Sequence, residues 1–396
     1  MDYSNVRLTW NQQSILLILL LISLFFPFYI TIIVFTLEFI ILAGTGLLSV
    51  KGVKNNVTFK FLWLFIIYTI IVSLIHQNLA GALIGLAFGV FMVYFTYYVQ
   101  HVRPKFIEKI ITISLIASFF LFIFALLEQY HIVPEWDYTF ISEGISQNHA
   151  DRVEATFANP NYYAMMLEFF IVFGLYKSKR VKKRRTKIIN LILIICNTLA
   201  IFFTGNRTSF FVIVVAIFVF YFVSGYKKQA VSVATIVTGL ILLLNRYNVL
   251  PRMDDLLFAT KDRLEIWMAS IQGIRDNLLT GQGPLTYMNV YMNYTDNHTQ
   301  HAHNIFLDVL LSYGIIGVLL LAQPLLKYAA TINQMRKLPN LRPYLALICS
   351  MISVVIAHGM TDVTILWVQT AGLFLMVILV APNMVKEEIA KQNAIQ

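Results

Sequence analysis

The stretch SILLILLLISLFFPFYITIIVFTLEFIILAGTGLLSV, from Ser14 to Val50, carries one charged side chain, Glu38, and no alternation of apolar with polar residues. A helix needs about 20 mostly apolar residues to cross roughly 30 Å of hydrocarbon, so this stretch is long enough for two crossings. Pro27 removes a backbone donor and blocks the preceding turn, which divides the run into two spans joined by a tight turn. Apolar runs of the same kind recur along the chain, and their lack of a two-residue period excludes an outer-membrane barrel. The sequence thus predicts an all-α, polytopic membrane protein. About 12 transmembrane helices are expected, near residues 12–26, 28–50, 60–76, 79–98, 107–127, 159–176, 188–204, 208–224, 229–245, 304–322, 343–358 and 363–381.

Composition agrees with this class. Of 396 residues, 58% are apolar and 13% charged, whereas a soluble domain has an apolar share of roughly 45–50%. Placing both termini in the cytoplasm leaves seven of the 30 Lys and Arg residues outside and 23 inside, with eight of the latter between Lys177 and Lys187. Positive charge is retained on the cytoplasmic side, so the asymmetry sets the orientation. The same retention, together with anionic lipid, explains the basic run and the net charge of +10 without nucleic-acid binding. The N-terminal apolar stretch lacks a small-residue cleavage site and is read as a retained first span. Cys196 and Cys349 fall inside spans and form no redox motif. No internal repeat or low-complexity tract is visible. The expected organisation is one membrane domain, residues 1–396, with an extracytoplasmic loop subdomain at 245–303.

The outer basic residues are Arg152, Arg207, Arg246, Arg252, Arg263, Arg275 and Lys261. Arginine offers a planar, permanently charged fork that grips phosphate oxygens in two places. Exposed pairing with Glu135, Asp137, Asp151, Glu154, Asp254, Asp255 and Asp276 would explain any one of them. Two stand out. Arg207 lies in the very short turn Thr204-Gly-Asn-Arg-Thr-Ser209, which holds it at the interface. Arg263 lies in Thr260-Lys-Asp-Arg-Leu-Glu-Ile-Trp267, which reads as an amphipathic helix start with Asp262 as cap and Leu264, Trp267, Met268 and Ile271 as its apolar stripe. A first helical turn at Arg263 would add free N–H groups to an anion site. Tyr287, Tyr291 and Tyr294 follow, suited to stacking on sugars or to anchoring the loop at headgroup depth.

Histidine chemistry is concentrated where the loop meets the next span, at His301-Ala-His303-Asn304. His298, His301, His303 and Asp296 are spaced so that they could converge on zinc. The passage from loop to span splits their directions, and no metal is expected. The other reading makes one imidazole a general base for a sugar hydroxyl, with Asn304 orienting it or the substrate. Asn159 and Pro160 suit the start of the sixth span, from which Asn161 and Tyr162 point into the bundle. Glu38 and Glu168 are mid-span ionisable groups and therefore functional candidates. His76, His131, His149 and His358 read as solvated or interfacial histidines. Asp308 is off the helix face that would pair with His303, and Thr361-Asp362 can support the site or cap a helix.

Taken in order, Asn159-Pro-Asn161, Gly205-Asn-Arg-Thr208, Arg263-x-x-x-Trp267, Gly281-Gln-Gly-Pro284 and His301-Ala-His-Asn-Ile-Phe-Leu-Asp-Val-Leu-Leu-Ser-Tyr-Gly-Ile-Ile-Gly317 resemble the bacterial O-antigen ligase and polysaccharide polymerase superfamily. The resemblance spans residues 157–322; the first 150 match only as hydrophobic spans. It implies a GT-C-like, inverting, metal-independent glycosyltransferase without cofactor, using an undecaprenyl-diphosphate-linked glycan donor and a glycan acceptor at the outer face of the cytoplasmic membrane. By the same resemblance Arg207 and Arg263 hold the donor diphosphate and His303 is the catalytic base. Asn159, Asn161, Asn206, His301, Asn304 and Asp362 are expected at the substrate. Polymerisation of repeat units is favoured over ligation to lipid A core or protein, because nothing points to a particular acceptor lacking a lipid carrier. A flippase of lipid-linked glycan is the rival from another class. Membrane lipid is an expected partner, as are a flippase and a chain-length regulator; nucleic acid is not.

Overall fold

The computed structural model describes residues 8–50, 53–133, 152–251 and 256–394, the side chains of 256–259 excepted. Every apolar run becomes helix, because only intrahelical hydrogen bonds satisfy the backbone of such a segment in hydrocarbon. The helices are α1 (Trp10–Ser23), α2 (Phe28–Gly44), α3 (Val57–Ile75), α4 (Leu79–His101), α5 (Phe106–Gln129), α6 (Pro160–Arg180), α7 (Arg184–Thr204), α8 (Arg207–Val223), α9 (Lys227–Arg246), α10 (Leu256–Asp276), α11 (Tyr287–Val290), α12 (Ile305–Arg336), α13 (Arg342–Gly359), α14 (Val368–Ile378) and α15 (Ala381–Asn393). Among the described residues, eight segments are long and apolar enough to cross a membrane, while α1, α2 and α8 are shorter apolar helices. Pro27 ends the first run as expected and stands as the N-cap of α2. Gln369 clamps that turn by donating its amide to the carbonyls of Leu24 and Phe26.

Helix α6 is the axis of the bundle. Most of its side chains are buried, among them Tyr163, Met166, Glu168, Phe170 and Phe173, and it packs against α5, α7, α8 and α13. Helix α9 is at the other extreme: it packs on α8 and buries only Ala230.

The connections sort to two ends. At one end lie the α1–α2, α3–α4, α7–α8 and α13–α14 turns and residues 256–304; the hydrogen bonds from Asn78 to the Gln282 and Pro284 carbonyls belong to this end. At the other end lies the basic run, where Glu108 takes a salt bridge from Lys177 at 2.9 Å and a hydrogen bond from the Tyr176 hydroxyl.

Two of the sequence motifs turn out to pack on each other. Helix α12 breaks at Gly314, which has φ 57° and ψ −171°. The carbonyls of Leu278 and Leu279 accept the N–H groups of Ile315 and Ile316, and the Ser312 carbonyl accepts Gly283 N–H at 2.7 Å. Leu278, Leu279 and the Gly-Gln-Gly-Pro turn that follows them thus replace the hydrogen bonds that the break removes. A Cβ on Gly314 would lie 2.5 Å from Gly281 N and Leu279 O. Gly314→Ala, strained in both φ and contact, is expected to destabilise the fold by about 1–3 kcal/mol. Thermal unfolding in detergent checks this. Gly239→Ala, where a Cβ meets nothing within 4 Å, should leave the midpoint unchanged or slightly raised.

Candidate functional site

Three motif asparagines do the same local job. Asn159, Asn206 and Asn304 are the N-caps of α6, α8 and α12, each accepting from the backbone N–H of the second or third residue of its helix, and Asn304 from both. Asparagine is favoured there because its short carbonyl side chain reaches those orphan donors. All three helices start at the same end of the bundle, so their positive dipole ends are gathered there, a setting that favours an anion.

Asn206 and Asn161 also join the helices. Asn206 Nδ2 donates to Asn161 Oδ1 at 2.9 Å, and Asn161 Nδ2 donates to Asp362 Oδ2 at 2.7 Å. Asn304 is engaged at both ends of its amide, capping α12 and donating to the Met360 carbonyl at 3.0 Å. It therefore ties α12 to the α13–α14 turn and makes no bond to the His303 ring.

Asp362 is the hub. His301 Nε2 lies 3.0 Å and His303 Nδ1 3.2 Å from its Oδ1. The expected divergence of the two imidazoles does not occur. His303 has a positive φ of 45°, a conformation that side chains other than glycine seldom adopt, and the turn it makes brings both rings onto one carboxylate, 4.5 Å apart at their centroids. Strain of this kind persists where the surroundings fix it, often at functional sites. Trp267 helps to fix it by donating its indole N–H to the His303 carbonyl at 3.3 Å. With Nδ1–H donating to Asp362, His303 Nε2 carries the lone pair and accepts the Thr299 hydroxyl at 3.1 Å. This is the tautomer a base needs. His303 is also the most open of the three, 25% exposed at the side chain against 17% for His301 and 4% for Asp362.

Arg207 is the first residue of α8, directly after the Asn206 cap, and Thr208 Oγ1 lies 2.8 Å from Thr361 Oγ1 beside Asp362. Arg263 needs a correction. Helix α10 begins at Leu256, so Asp262 lies inside it and Arg263 is in its third turn, away from its free N–H groups. The helix runs about two turns further upstream because leucine and alanine there favour it. The helix-terminus contribution expected at Arg263 is instead found at Arg207. Arg263 shares a helix face with Trp267, four residues on, and lies near enough to His358 for their charges to interact. The stripe Leu264, Met268 and Ile271 is exposed, while Ile266, Ala269 and Ile274 pack under α12.

Other residues sort differently from expectation. Arg152, which exposed pairing would have explained, donates to Asn161 Oδ1 and the Thr204 carbonyl, both at 2.8 Å. His298 packs edge-on against Tyr291 and is not part of the Asp362 cluster. Tyr287 stacks on Tyr291 and donates to the Asn297 carbonyl, and Tyr294 donates to Asp276, so these rings pack the loop. Arg246 and Arg275 are exposed, and Arg252 lies outside the described residues, as do Glu135, Asp137, His149, Asp151, Asp254 and Asp255. Among the described residues, His301, His303 and Asp362 are the group whose ligating atoms, all within 4.8 Å, could hold a metal ion. Two imidazoles and a carboxylate form a donor set that zinc accepts.

Burial alone would raise the Asp362 carboxyl, but the charge on His303 and the hydrogen bonds from His301 and His303 hold it well below the ordinary carboxylate range. Burial alone would lower His301, but its hydrogen bond to Asp362 and that carboxylate's charge hold it above the ordinary imidazole value. The signs give a pH window. The Asp362 contribution to stability is present above the unfolded carboxylate value and is lost as pH falls toward the depressed one. The His301 contribution is full below the unfolded imidazole value and is lost as pH rises through the elevated one. Thermal stability is therefore expected to be highest between about pH 4 and 6.5, the two unfolded values, with Asp362→Asn flattening the alkaline decline in a pH series of melting curves.

Residues 190–322, from α7 into α12, match the family model described as O-antigen ligase, which supports the resemblance to the O-antigen ligase and polysaccharide polymerase superfamily. The apolar helices and this match indicate a multi-pass membrane protein, and the matched family suggests glycan transfer of the O-antigen ligase or polymerase type. No curated protein matches the chain. Arg207, Arg263, His301 and His303 lie within the matched segment, whereas Asn161, Glu168, His358 and Asp362 lie outside it.

Proposed function

We propose that the protein transfers a glycan from undecaprenyl diphosphate to a hydroxyl of an acceptor glycan, with inversion at the anomeric carbon and without a metal. The observation that carries this is the Asp362-held His303, whose Nε2 faces a hydroxyl group, at the end of the bundle where α6, α8 and α12 present their N-termini. The acceptor oxygen attacks C1 of the donor sugar from the side opposite the diphosphate. Its proton goes to His303 Nε2 in place of the Thr299 hydroxyl bond, and Asp362 stabilises the imidazolium. The bond from C1 to the phosphate oxygen breaks with its electron pair on the diphosphate. Arg207, Arg263 and the N-terminus of α8 stabilise that charge. The site faces outward by the charge asymmetry, since the basic residues 177–187 mark the opposite, cytoplasmic end.

Metal-free chemistry is supported by the hydrogen bonding of Asp362: its Oδ1 accepts from His301, His303 and the Val363 N–H, and its Oδ2 from Asn161. Purified protein given a synthetic undecaprenyl-diphosphate glycan should form product at the same rate with and without chelator. Loss on chelation would make His301, His303 and Asp362 metal ligands instead of a proton-transfer group.

We favour repeat-unit polymerisation, in which a second lipid-linked repeat is the acceptor. Ligation to another acceptor has one observation in its favour, the description of the matching family model. The product distinguishes them. A polymerase leaves the lengthened glycan on a lipid carrier; a ligase leaves it on lipid A core or protein. A flippase would yield no new glycosidic bond.

A further inference from the structure

We propose that Glu168 and His358 are positioning residues for glycan transfer, acting through Asp362; this rests on the functional reading above. Both side chains are fully buried in the bundle, with His358 Nδ1 at 2.9 and 3.0 Å from the two carboxylate oxygens of Glu168. Such a pair is weak as a device for stability alone, because desolvation offsets its attraction and an apolar pair of similar volume would do as well. Ionisable groups at this depth are retained for function.

The backbone shows what the pair can do. His358 stands on the last turn of α13, and its carbonyl accepts the N–H groups of Thr361 at 3.0 Å and Asp362 at 3.1 Å. The Thr361 hydroxyl lies 3.3 Å from the same carbonyl. The turn that presents Asp362 therefore hangs from His358. Glu168 in turn follows Asn161 by seven residues, which is two turns along one face of α6.

Helices α6 and α13 are thus joined by two rungs, Asn161 to Asp362 at the mouth and Glu168 to His358 below it. The lower rung fixes the rotation of α13 and the height of its final carbonyl. That sets where Asp362 meets His301 and His303. His358 Nε2 is buried and has no hydrogen-bond partner among the described residues, so the Nδ1 contact to Glu168 is what orients the ring.

The test compares Glu168→Ala with Glu168→Gln in purified, monodisperse protein. Glutamine keeps an acceptor for Nδ1–H and nearly the same volume; alanine keeps neither. Glu168→Ala is expected to lower kcat per folded molecule at least tenfold with the donor KM within about threefold, and Glu168→Gln to restore most of the loss. Hydrogen–deuterium exchange over residues 357–367 gives a readout independent of activity. It should quicken in Glu168→Ala and return toward the unaltered rate in Glu168→Gln. Unchanged kcat in Glu168→Ala, or an equal loss in both variants, would overturn the proposal. If the unaltered protein transfers no glycan, the functional reading fails, and the exchange result alone then shows whether Glu168 holds the Asp362 turn.

Discussion

His303→Ala should lower turnover by about 10²–10⁴-fold, the range of a general base removed from a proton-transfer step. Protein yield and donor affinity should change little. The expectation follows from geometry. His303 Nε2 carries the accessible lone pair of the cluster, while His301 has its Nε2 directed at Asp362. The ring of His303 is partly open and makes its bonds at two edges only, so its loss leaves no large cavity in the core. His301→Ala should have the smaller effect, since that imidazole shares the carboxylate without facing a hydroxyl group. Asp362→Asn should fall between the two. It keeps the shape of the hub but loses the charge that stabilises an imidazolium. Single-turnover rates with excess protein separate these effects from donor binding.

Arg207→Ala and Arg263→Ala should each lose about 10²–10³-fold in turnover, as expected for a fixed group that stabilises charge on a leaving diphosphate. Lysine at either position should restore only part of the loss, because an ammonium keeps the charge but not the two-pronged grip. The two arginines are held differently. Arg207 opens α8 beside the Asn206 cap, so its charge adds to the free N–H groups of that first turn. Arg263 stands inside α10, and its position depends on the packing of Ile266, Ala269 and Ile274 under α12. Changes in that small apolar cluster should therefore weaken the contribution of Arg263 and leave that of Arg207 intact. Turnover of Ala269→Leu, in the background of each arginine variant, checks this coupling.

The spans were legible because apolar composition is a one-dimensional signal, and Pro27 marked the first turn by removing a donor. The cap at Asn159 was legible too, whereas Asn206 and Asn304, expected at the substrate, prove to cap α8 and α12. What could not be read was which side chains meet across the fold. Asp362 lies 59 residues from His303 and 201 from Asn161, separated from them by whole helices. The convergence of His301 and His303 depends on the left-handed backbone at His303, which no residue type signals there. Arg152 resembled any exposed cation until its bonds to Asn161 and Thr204 were seen. His358 read as a solvated or interfacial histidine and is instead fully buried, paired with Glu168, 190 residues away. Asp262 and Glu265 imitate a capping pair inside a helix that has already begun, which is why the start of α10 is not legible in the sequence.

The measurement closest to the central claim is the anomeric configuration of the bond formed by purified protein from a donor of known configuration at the sugar phosphate. Direct attack by a hydroxyl activated at His303 requires that the configuration be inverted in every turnover, and nuclear magnetic resonance of the product reads it. Inversion, lost together with product formation in His303→Ala, is the expected result. Retention of configuration, or an inverted product formed at the unaltered rate by His303→Ala, would contradict it.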